Sequence, residues 1–168
     1  MNDMAKIIRP STEEDIPRLM SLYEAAKGIM RADGNMGQWV NGYPSEEILR
    51  QDIRNGVSYV VEEGDAVVGT FACVPGDEPT YRRIFEGHWL DESRPYVTVH
   101  RLGSTPESHG VADACFSWAL AQCGNVRVDT HRDNRIMQHC VLSFGFKYCG
   151  IIYLANGDER LAYQLISI

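Results

Sequence analysis

The 168-residue sequence has few cysteines, no long apolar run and no excess of basic residues. A membrane-spanning helix needs about 20 predominantly apolar residues, so the lack of such a run predicts a protein that does not enter a membrane. The first residues also lack the apolar segment of a secretory signal. We therefore expect a cytoplasmic location.

Cysteine and histidine are too sparse and scattered to predict a disulfide framework or a metal centre. The cysteines are Cys73, Cys115, Cys123, Cys140 and Cys149, and the histidines are His88, His100, His109, His131 and His139. Neither set shows a C-x-x-C pair or another ligand-like spacing. We expect reduced, mostly buried thiols and no bound metal.

Positive charge is also scarce. Lysine and arginine total 16 against 23 aspartates and glutamates, which gives a formal net charge of -7. Nucleic-acid phosphates need a basic face, so this composition argues against a nucleic-acid-binding protein. An acidic protein can still hold an anionic ligand locally, through backbone N–H groups at the start of a helix.

The residues that are present suit one globular domain. With 44% hydrophobic residues, a chain of this length can bury a substantial core. No repeat, low-complexity tract or linker-like segment divides it. We expect a single domain over residues 1–168.

Apolar periodicity and turn residues predict the element order β, α, α, β, β, β, α, β, α, β, β. The predicted strands are residues 7–9, 57–62, 66–74, 96–102, 126–129, 147–153 and 161–166. The first helix starts from a capping box of Ser11 with Glu14 and runs to about residue 31, and the second lies between a Ser45 cap and Asn55. The last two helices are predicted at residues 110–122 and about 134–143. The long connection over residues 77–95 is of a kind that often lines a functional site.

Residues 126–153 are the most informative stretch. Asn134, Met137 and the pair Gly145-Phe146 resemble the "N…A…GF" signature of the GNAT acetyltransferase superfamily. Residues 38–39, 43–45 and 148–153 extend the resemblance to a small bacterial branch of that superfamily, over nearly the whole chain. The resemblance implies an α/β (α+β) GNAT fold, with a mixed, mostly antiparallel central sheet flanked by helices and splayed strands 4 and 5. It also implies an N-acetyltransferase that uses acetyl-CoA and acylates an amine.

The same resemblance implies where acetyl-CoA binds. The phosphate loop of the family corresponds to His109, Gly110, Val111, Ala112, Asp113 and Ala114, although His109 and Ala112 depart from its pattern and Asp113 adds a negative charge. Small residues and free N–H groups at a helix start suit a pyrophosphate. Pantetheine would enter the gap between the splayed strands, with a backbone N–H among Leu102, Gly103 and Ser104 polarising the thioester carbonyl. Asn134, Met137 and Phe144 map beside the pantetheine. Core packing competes as an explanation for Met137 and Phe144, and a helix cap competes for Asn134.

The proton-transfer groups are less clear from the sequence. Many family members have a tyrosine acid seven residues after the asparagine, and that position here is Val141. We favour His100 as general base because it lies on the fourth strand and imidazole titrates near neutral pH. His131 is the second choice of base, and a structural hydrogen-bonding role competes for each histidine. The candidate acids are Cys140, Tyr148, Tyr153 and His131, and no spacing selects among them. Strict strand alternation places His100 and Leu102 on the same face.

Four loop aromatics, Trp39, Tyr43, Tyr81 and Trp89, are the candidates for an acceptor pocket, with lids over the core as the alternative. The expected partners are acetyl-CoA and a small amine acceptor, and neither nucleic acid nor a membrane is expected. The sequence leaves open whether the protein forms a homodimer. A non-catalytic acyl-CoA-binding or sensing module is the competing function because of Val141 and the imperfect phosphate loop. A structural or interaction protein that binds no cofactor is a third interpretation.

Overall fold

A computed structural model describes residues 5–167 and arranges them as one sheet with helices on both faces. The strands are β1 (Lys6–Pro10), β2 (Ser58–Glu63), β3 (Ala66–Pro75), β4 (Val97–Ser104), β5 (Asn125–Thr130), β6 (Lys147–Tyr153) and β7 (Glu159–Ile166). The helices are α1 (Ile16–Ala32), α2 (Glu46–Arg54), α3 (Val111–Cys123) and α4 (Arg135–Phe144). This element order confirms the order predicted from the sequence.

The sheet is mixed and mostly antiparallel, as predicted. Its strands lie in the order β1-β2-β3-β4-β5-β7-β6, and β4 and β5 are its parallel neighbours. These two strands pair only at Val97 with Val126 and at Thr98 with Arg127. Beyond those pairs they separate, so a gap opens between the second half of β4 and the end of β5.

Alternation along β2 shows how the two faces of the sheet are filled. Val60 packs with Leu19, Tyr23 and Leu49 of α1 and α2, whereas the next residue, Val61, packs in the cluster that contains α3 and α4. Successive strand side chains point to opposite faces. Helices α1 and α2 therefore cover one face, and α3 and α4 cover the other.

The entry into α1 differs from the prediction. The reciprocal turn forms between Thr12 and Asp15, whose carboxylate accepts a hydrogen bond from Thr12 N–H at 2.7 Å. The predicted Ser11–Glu14 box is wrong because Ser11 is buried, and its hydroxyl accepts a 2.8 Å hydrogen bond from Ser58 of β2. At α2, Ser45 accepts from Ile48 N–H at 3.2 Å, which confirms the predicted cap.

The long connection between β3 and β4 packs firmly against the sheet. Phe85 and Ile151 of β6 exchange two backbone hydrogen bonds of 2.8 Å. A Cβ at Gly87 would lie 1.9 Å from the carbonyl oxygen of Cys149, so only glycine fits there. The loop thus forms a wall beside the gap between β4 and β5. No helix within residues 5–167 is long and apolar enough to cross a membrane.

Candidate active site

A cavity of about 530 Å³ lies where β4 and β5 separate. Its walls come from β4, β5, the α1–α2 loop, the β3–β4 loop, the start of α4 and the β6–β7 turn. The lining residues are Met30, Gln38, Trp39, Val40, Asn41, Tyr43, Glu78, Thr80, Val99, His100, Arg101, Leu102, Phe116, Val128, Asp129, Thr130, Asn134, Met137, Leu154, Asn156, Asp158 and Arg160. A volume of this size falls in the range of small-molecule sites.

A β-bulge in β4 shapes one wall of the cavity. Ala72 of β3 pairs with His100 and Thr70 with Gly103, so Arg101 and Leu102 together face a single β3 residue. Arg101 has a left-handed φ of 52°. A bulge leaves one residue outside the ladder and re-aims the side chains that follow.

The bulge overturns the alternation expected for β4. Leu102 packs against the cluster that contains Val97 and Val99, whereas the ring of His100 lies 6.3 Å from that of Tyr81 in the β3–β4 loop. His100 and Leu102 therefore lie on opposite faces, and their predicted placement on one face is wrong. The inserted residue shifts the period of two by one position.

Contacts from α1 and α2 hold the bulge in place. The guanidinium of Arg101 donates to both carboxylate oxygens of Asp52, at 2.8 and 2.9 Å, and to the hydroxyl of Tyr43 at 3.0 Å. The hydroxyl of Tyr23 donates to the carbonyl of Arg101 at 2.7 Å. The bidentate ion pair stabilises a backbone conformation that a non-glycine residue rarely adopts.

His100 and Glu78 form an imidazole–carboxylate pair in the cavity wall. Nε2 of His100 lies 3.3 Å from Oε2 of Glu78, and their side chains are 21% and 22% exposed. The other oxygen of Glu78 accepts from the N–H and the hydroxyl of Thr80, at 3.2 and 2.9 Å. The hydrogen bond from His100 is the main reason that the pKa of Glu78 falls to about 2, against the opposing effect of burial. Glu78 is thus a fixed carboxylate that can orient the imidazole.

Asp129 provides a second carboxylate on this wall. It accepts a 2.5 Å hydrogen bond from the hydroxyl of Tyr81. Burial, with the negative charge of Asp129, raises the pKa of Tyr81 well above its ordinary value. Tyr81 therefore stays a neutral donor that positions Asp129.

The four loop aromatics divide into two pairs. Trp39 and Tyr43 line the cavity, in agreement with a place in an acceptor pocket. Tyr81 and Trp89 are only 1% and 3% exposed, and Trp89 donates its indole N–H to the carbonyl of Tyr81 at 3.0 Å. Both lie behind the wall, where they support the loop that carries Glu78.

Asn134 caps α4 and also lines the cavity. Its side-chain oxygen accepts from Met137 N–H at 3.0 Å, and its amide nitrogen donates to Gln38 at 2.8 Å. Asn35 donates to the same oxygen of Gln38 at 2.9 Å. This buried amide chain ties the α1–α2 loop to the start of α4, so Asn134 has a structural role together with its place in the wall.

Thr130, at the end of β5, lines the cavity. The residue is 1% exposed, and its buried Oγ1 has no hydrogen-bond partner within the described part of the chain. A buried polar atom without a partner is uncommon.

The segment proposed for phosphate lies outside this cavity, at the N-terminus of α3. Gly110 has a left-handed φ of 77° at the helix start, and Ala114 N–H donates to its carbonyl at 3.0 Å. Lys6 of β1 reaches the same region: its Nζ lies 3.2 Å from Glu63 and 3.8 Å from where a Cβ on Gly110 would stand. Ser108 donates to Glu63 at 2.9 Å. A cation that sequence spacing did not reveal therefore stands beside the predicted loop.

Several other candidates lie away from the cavity. Phe144 packs with tilted rings against Phe116 and Phe146, and Val141 is fully buried in the same cluster. Tyr153 is 44% exposed, with its ring 5.3 Å from that of Phe85. Neither Val141 nor Tyr153 is therefore placed to give a proton to a group in the cavity.

His131 packs behind the cavity wall. Its Nδ1 accepts from Asp133 N–H at 3.0 Å, and its Nε2 would lie 2.8 Å from a Cβ on Gly37. Burial lowers the pKa of His131, and the positive charge of Arg160 lowers it further. The imidazole holds the turn after β5 against the α1–α2 loop.

Several residues of the cavity have no role in the sequence-based prediction: Gln38, Glu78, Thr80, Arg101, Asp129, Thr130 and Arg160. Asp129 and Thr130 end a buried strand, and polar residues at that position are a signal that could have marked them. Glu78 gives no such signal, because most loop carboxylates are simply solvated. Within residues 5–167, no group of three His, Cys, Asp or Glu side chains is arranged to hold a metal ion.

Comparison with protein-family profiles gives no match, and comparison with curated proteins gives none. Among solved structures, a GNAT-family acetyltransferase from Streptococcus agalactiae 2603 is 32% identical, with 97% of this chain and 96% of that chain covered and a TM-score of 0.87. A GNAT-family acetyltransferase from Listeria monocytogenes 4b F2365 shares the fold at 15% identity, with 96% and 94% covered and a TM-score of 0.69. The NatC complex bound to Gag peptide and CoA also shares it, at 14% identity, 98% and 100% coverage and a TM-score of 0.65. With near-complete coverage at 32% identity, and with the splayed β4 and β5, the chain belongs to the GNAT family of acetyltransferases, which use acetyl-CoA as the acyl donor.

Proposed function

We propose that this protein is an N-acetyltransferase that transfers the acetyl group of acetyl-CoA to the primary amine of a small acceptor by direct attack in a ternary complex. The observation that supports this most strongly is the His100–Glu78 pair in the wall of a cavity at the β4–β5 gap. The pair gives a candidate base at the point where a thioester and an amine would meet.

The gap and its surroundings fit the acyl donor. The N–H groups at the start of α3 and the nearby Lys6 suit a pyrophosphate, and the bulge leaves backbone of β4 outside the ladder beside the gap. We assign the residues 109–114 to the phosphates and Leu102–Ser104, Asn134 and Met137 to the pantetheine arm. When bound, acetyl-CoA supplies the thioester carbonyl carbon that the amine attacks.

His100 is proposed to remove the proton of the attacking amine. In the tautomer whose Nε2–H donates to Glu78, Nδ1 is left as the proton acceptor, and the carboxylate stabilises the imidazolium that forms. A backbone N–H of the β4 bulge would stabilise the negative charge that develops on the carbonyl oxygen. As the C–N bond forms and the C–S bond breaks, the thiolate departs. Val141 supplies no proton to it, because an aliphatic side chain has no acidic group.

The acceptor amine is expected to be cationic before it reacts. Glu78 and Asp129 line the same wall, and fixed carboxylates attract an ammonium group. His100 then takes one proton from the ammonium to give the neutral amine that attack requires. The second N–H proton, lost as the amide forms, passes to the departing thiolate, so that CoA leaves as the free thiol. The aromatic walls from Trp39 and Tyr43 would close the pocket around the carbon skeleton of a small acceptor.

Two measurements on the full chain test this proposal. Excess acetyl-CoA should raise the melting temperature, because a ligand that binds only the folded state stabilises it. Incubation with acetyl-CoA and a panel of primary amines should release the CoA thiol, and the acetylated amine should be identified by mass spectrometry. Absence of thermal stabilisation, or thiol release no faster than without any amine, would overturn the assignment.

A further inference from the structure

Arg160 of β7 is a buried cation in the cavity wall. The residue is 8% exposed and lines the cavity. One guanidinium nitrogen donates to the carbonyl of Glu159 at 2.8 Å. Within residues 5–167, no carboxylate oxygen lies within 4.0 Å of the guanidinium, because the side chain of Glu159 pairs with Arg132 instead.

The other two buried arginines of this region have clear partners. Arg101 is held by both oxygens of Asp52. Arg127 lies 4.0 Å from the ring centres of Trp89 and Tyr96 and donates to the carbonyl of Asp91 at 3.0 Å. A buried charge without a counter-charge is unfavourable. Arg127 also lacks a carboxylate partner, but two aromatic rings contact its guanidinium. Among the described residues, Arg160 has neither a carboxylate nor an aromatic ring against its guanidinium.

Asp158, two residues before Arg160, does not neutralise it either. Its side chain is exposed and accepts from the amide of Asn156 at 3.2 Å in the β6–β7 turn. Water screens an exposed carboxylate, so its effect on a buried guanidinium is small. A molecule that occupies the cavity can therefore supply the negative charge that pairs with Arg160.

Arg160 also faces the same side of the sheet as the His100–Glu78 pair. It lies two residues before Ala162, which packs in the cluster of Tyr81 and Trp89. Tyr81 is adjacent to His100 and belongs to the same loop as Glu78. A single small molecule can therefore present a cationic group to Glu78 and an anionic group to Arg160 from within one cavity.

We propose that the acceptor is an amino acid or an amino-acid-like molecule, whose amine reacts at His100 and whose carboxylate pairs with Arg160. This proposal rests on the proposed function and adds the substrate class. Arginine suits the task because its planar guanidinium can donate two parallel hydrogen bonds to one carboxylate. The two ends of the cavity would then read opposite charges on one acceptor.

The test compares free amino acids, with chains of several lengths, against their carboxamides, which have the same shape without the negative charge. For wild-type protein, kcat/KM measured by thiol release should favour the acid over its amide by at least about tenfold, as a charge-assisted hydrogen bond predicts. Arg160→Gln should lower that ratio at least about tenfold, and Arg160→Lys should lower it less. Lys147→Gln, which removes one exposed positive charge from β6, should leave the ratio unchanged.

The outcomes separate this inference from the proposed function. Equal turnover of acids and amides by the wild type would refute the carboxylate site and leave the acetyltransferase assignment intact. If no amine is acetylated, the proposed function itself fails, and the same pairs are then compared by thermal stabilisation of the CoA-saturated protein; equal stabilisation by acid and amide refutes the site. Thermal stabilisation by acetyl-CoA shows whether Arg160→Gln is folded. If that variant is unfolded, the comparison of acids with amides in the wild type still tests the carboxylate site.

Discussion

Nε2 of His100, on β4, lies 3.3 Å from Oε2 of Glu78, which comes from the loop before that strand. The carboxylate accepts hydrogen bonds from Thr80, and the loop is held against β6 by the backbone hydrogen bonds between Phe85 and Ile151. The imidazole is thus oriented by a group that is itself held in place. Such an arrangement suits a base that must present one nitrogen to a substrate.

Replacing His100 should reduce catalysis strongly. We expect His100→Ala to lower kcat/KM for the amine by about 100-fold or more, because general-base catalysis contributes about 10²–10⁴-fold. Thermal stabilisation by acetyl-CoA should be retained, which separates catalysis from donor binding. His88→Ala is the matched control, since His88 is exposed in the same loop. Unchanged turnover in His100→Ala would remove this residue from the mechanism.

The low pKa of Glu78 predicts how the stability of the protein depends on pH. Its folded-state pKa, about 2, lies below the ordinary value of 4.5, so the unfolded chain takes up this proton first as the pH falls. The contribution is fully present above about pH 4.5 and is lost as the pH drops towards 2.

This dependence is measured by comparing wild type with Glu78→Gln. The wild type should have the higher melting temperature near neutral pH, and the difference in melting temperature should decrease as the pH falls from about 4.5 towards 2. A difference that stays constant down to about pH 2 would contradict the assignment.

The Arg101–Asp52 pair should be important for stability. Asp52→Ala leaves the Arg101 guanidinium largely buried without its carboxylate, and we expect a loss of about 3 kcal/mol in the free energy of unfolding. Turnover should also fall, because the pair holds the bulge beside the gap. Glu47→Ala, an exposed position on the same helix, should change stability by less than about 0.5 kcal/mol. Urea denaturation of the two variants measures the difference, and equal losses would show that the pair is not important.

Gly87 should tolerate no side chain. A Cβ there would overlap the carbonyl of Cys149, so Gly87→Ala should move the β3–β4 loop and destabilise the fold by about 1–3 kcal/mol. Turnover should fall as well, because Glu78 lies on this loop. Gly28→Ala in α1 is the matched control: nothing lies within 4 Å of its Cβ, and it should stabilise the helix by about 0.5–1 kcal/mol. Thermal unfolding of both variants tests this prediction: the melting temperature should fall for Gly87→Ala and rise for Gly28→Ala.

Lys6 and Glu63 should have opposite effects on donor binding. Lys6→Met removes the cation beside the start of α3, and we expect the KM for acetyl-CoA to rise roughly threefold, as for an exposed charge contact. Glu63→Gln removes its carboxylate partner and should lower the KM. Both effects should weaken at high salt. A shift of the two variants in the same direction would argue against a role for Lys6 at the phosphates.

Local signals in the sequence predicted most of the fold. The Ser45 cap, the Asn55-Gly56 stop after α2 and the bounds of β6 are all confirmed by the structure. These features depend on neighbouring residues: a hydroxyl that meets nearby N–H groups, or apolar residues with a regular period. The splayed β4 and β5 were expected from the family resemblance and are also confirmed.

The bulge in β4 shows where such signals stop. Nothing in the local sequence marks Arg101 as the inserted residue, because its left-handed backbone is held by Asp52, Tyr43 and Tyr23 from distant segments. One inserted residue then reverses which face the following side chains occupy. The same limit applies to Ser11, whose hydroxyl joins β2 rather than capping a helix.

By itself, the sequence determined the order of helices and strands and the resemblance to GNAT acetyltransferases, because caps, periodicity and short motifs act over a few neighbouring residues. Only the tertiary structure decided that Glu78 orients His100, that Tyr81 and Trp89 support the wall rather than line it, and that Arg160 lies buried in the cavity without a counter-charge. These relationships join residues far apart in the chain, and they depend on burial and distance, which are properties of the packed molecule.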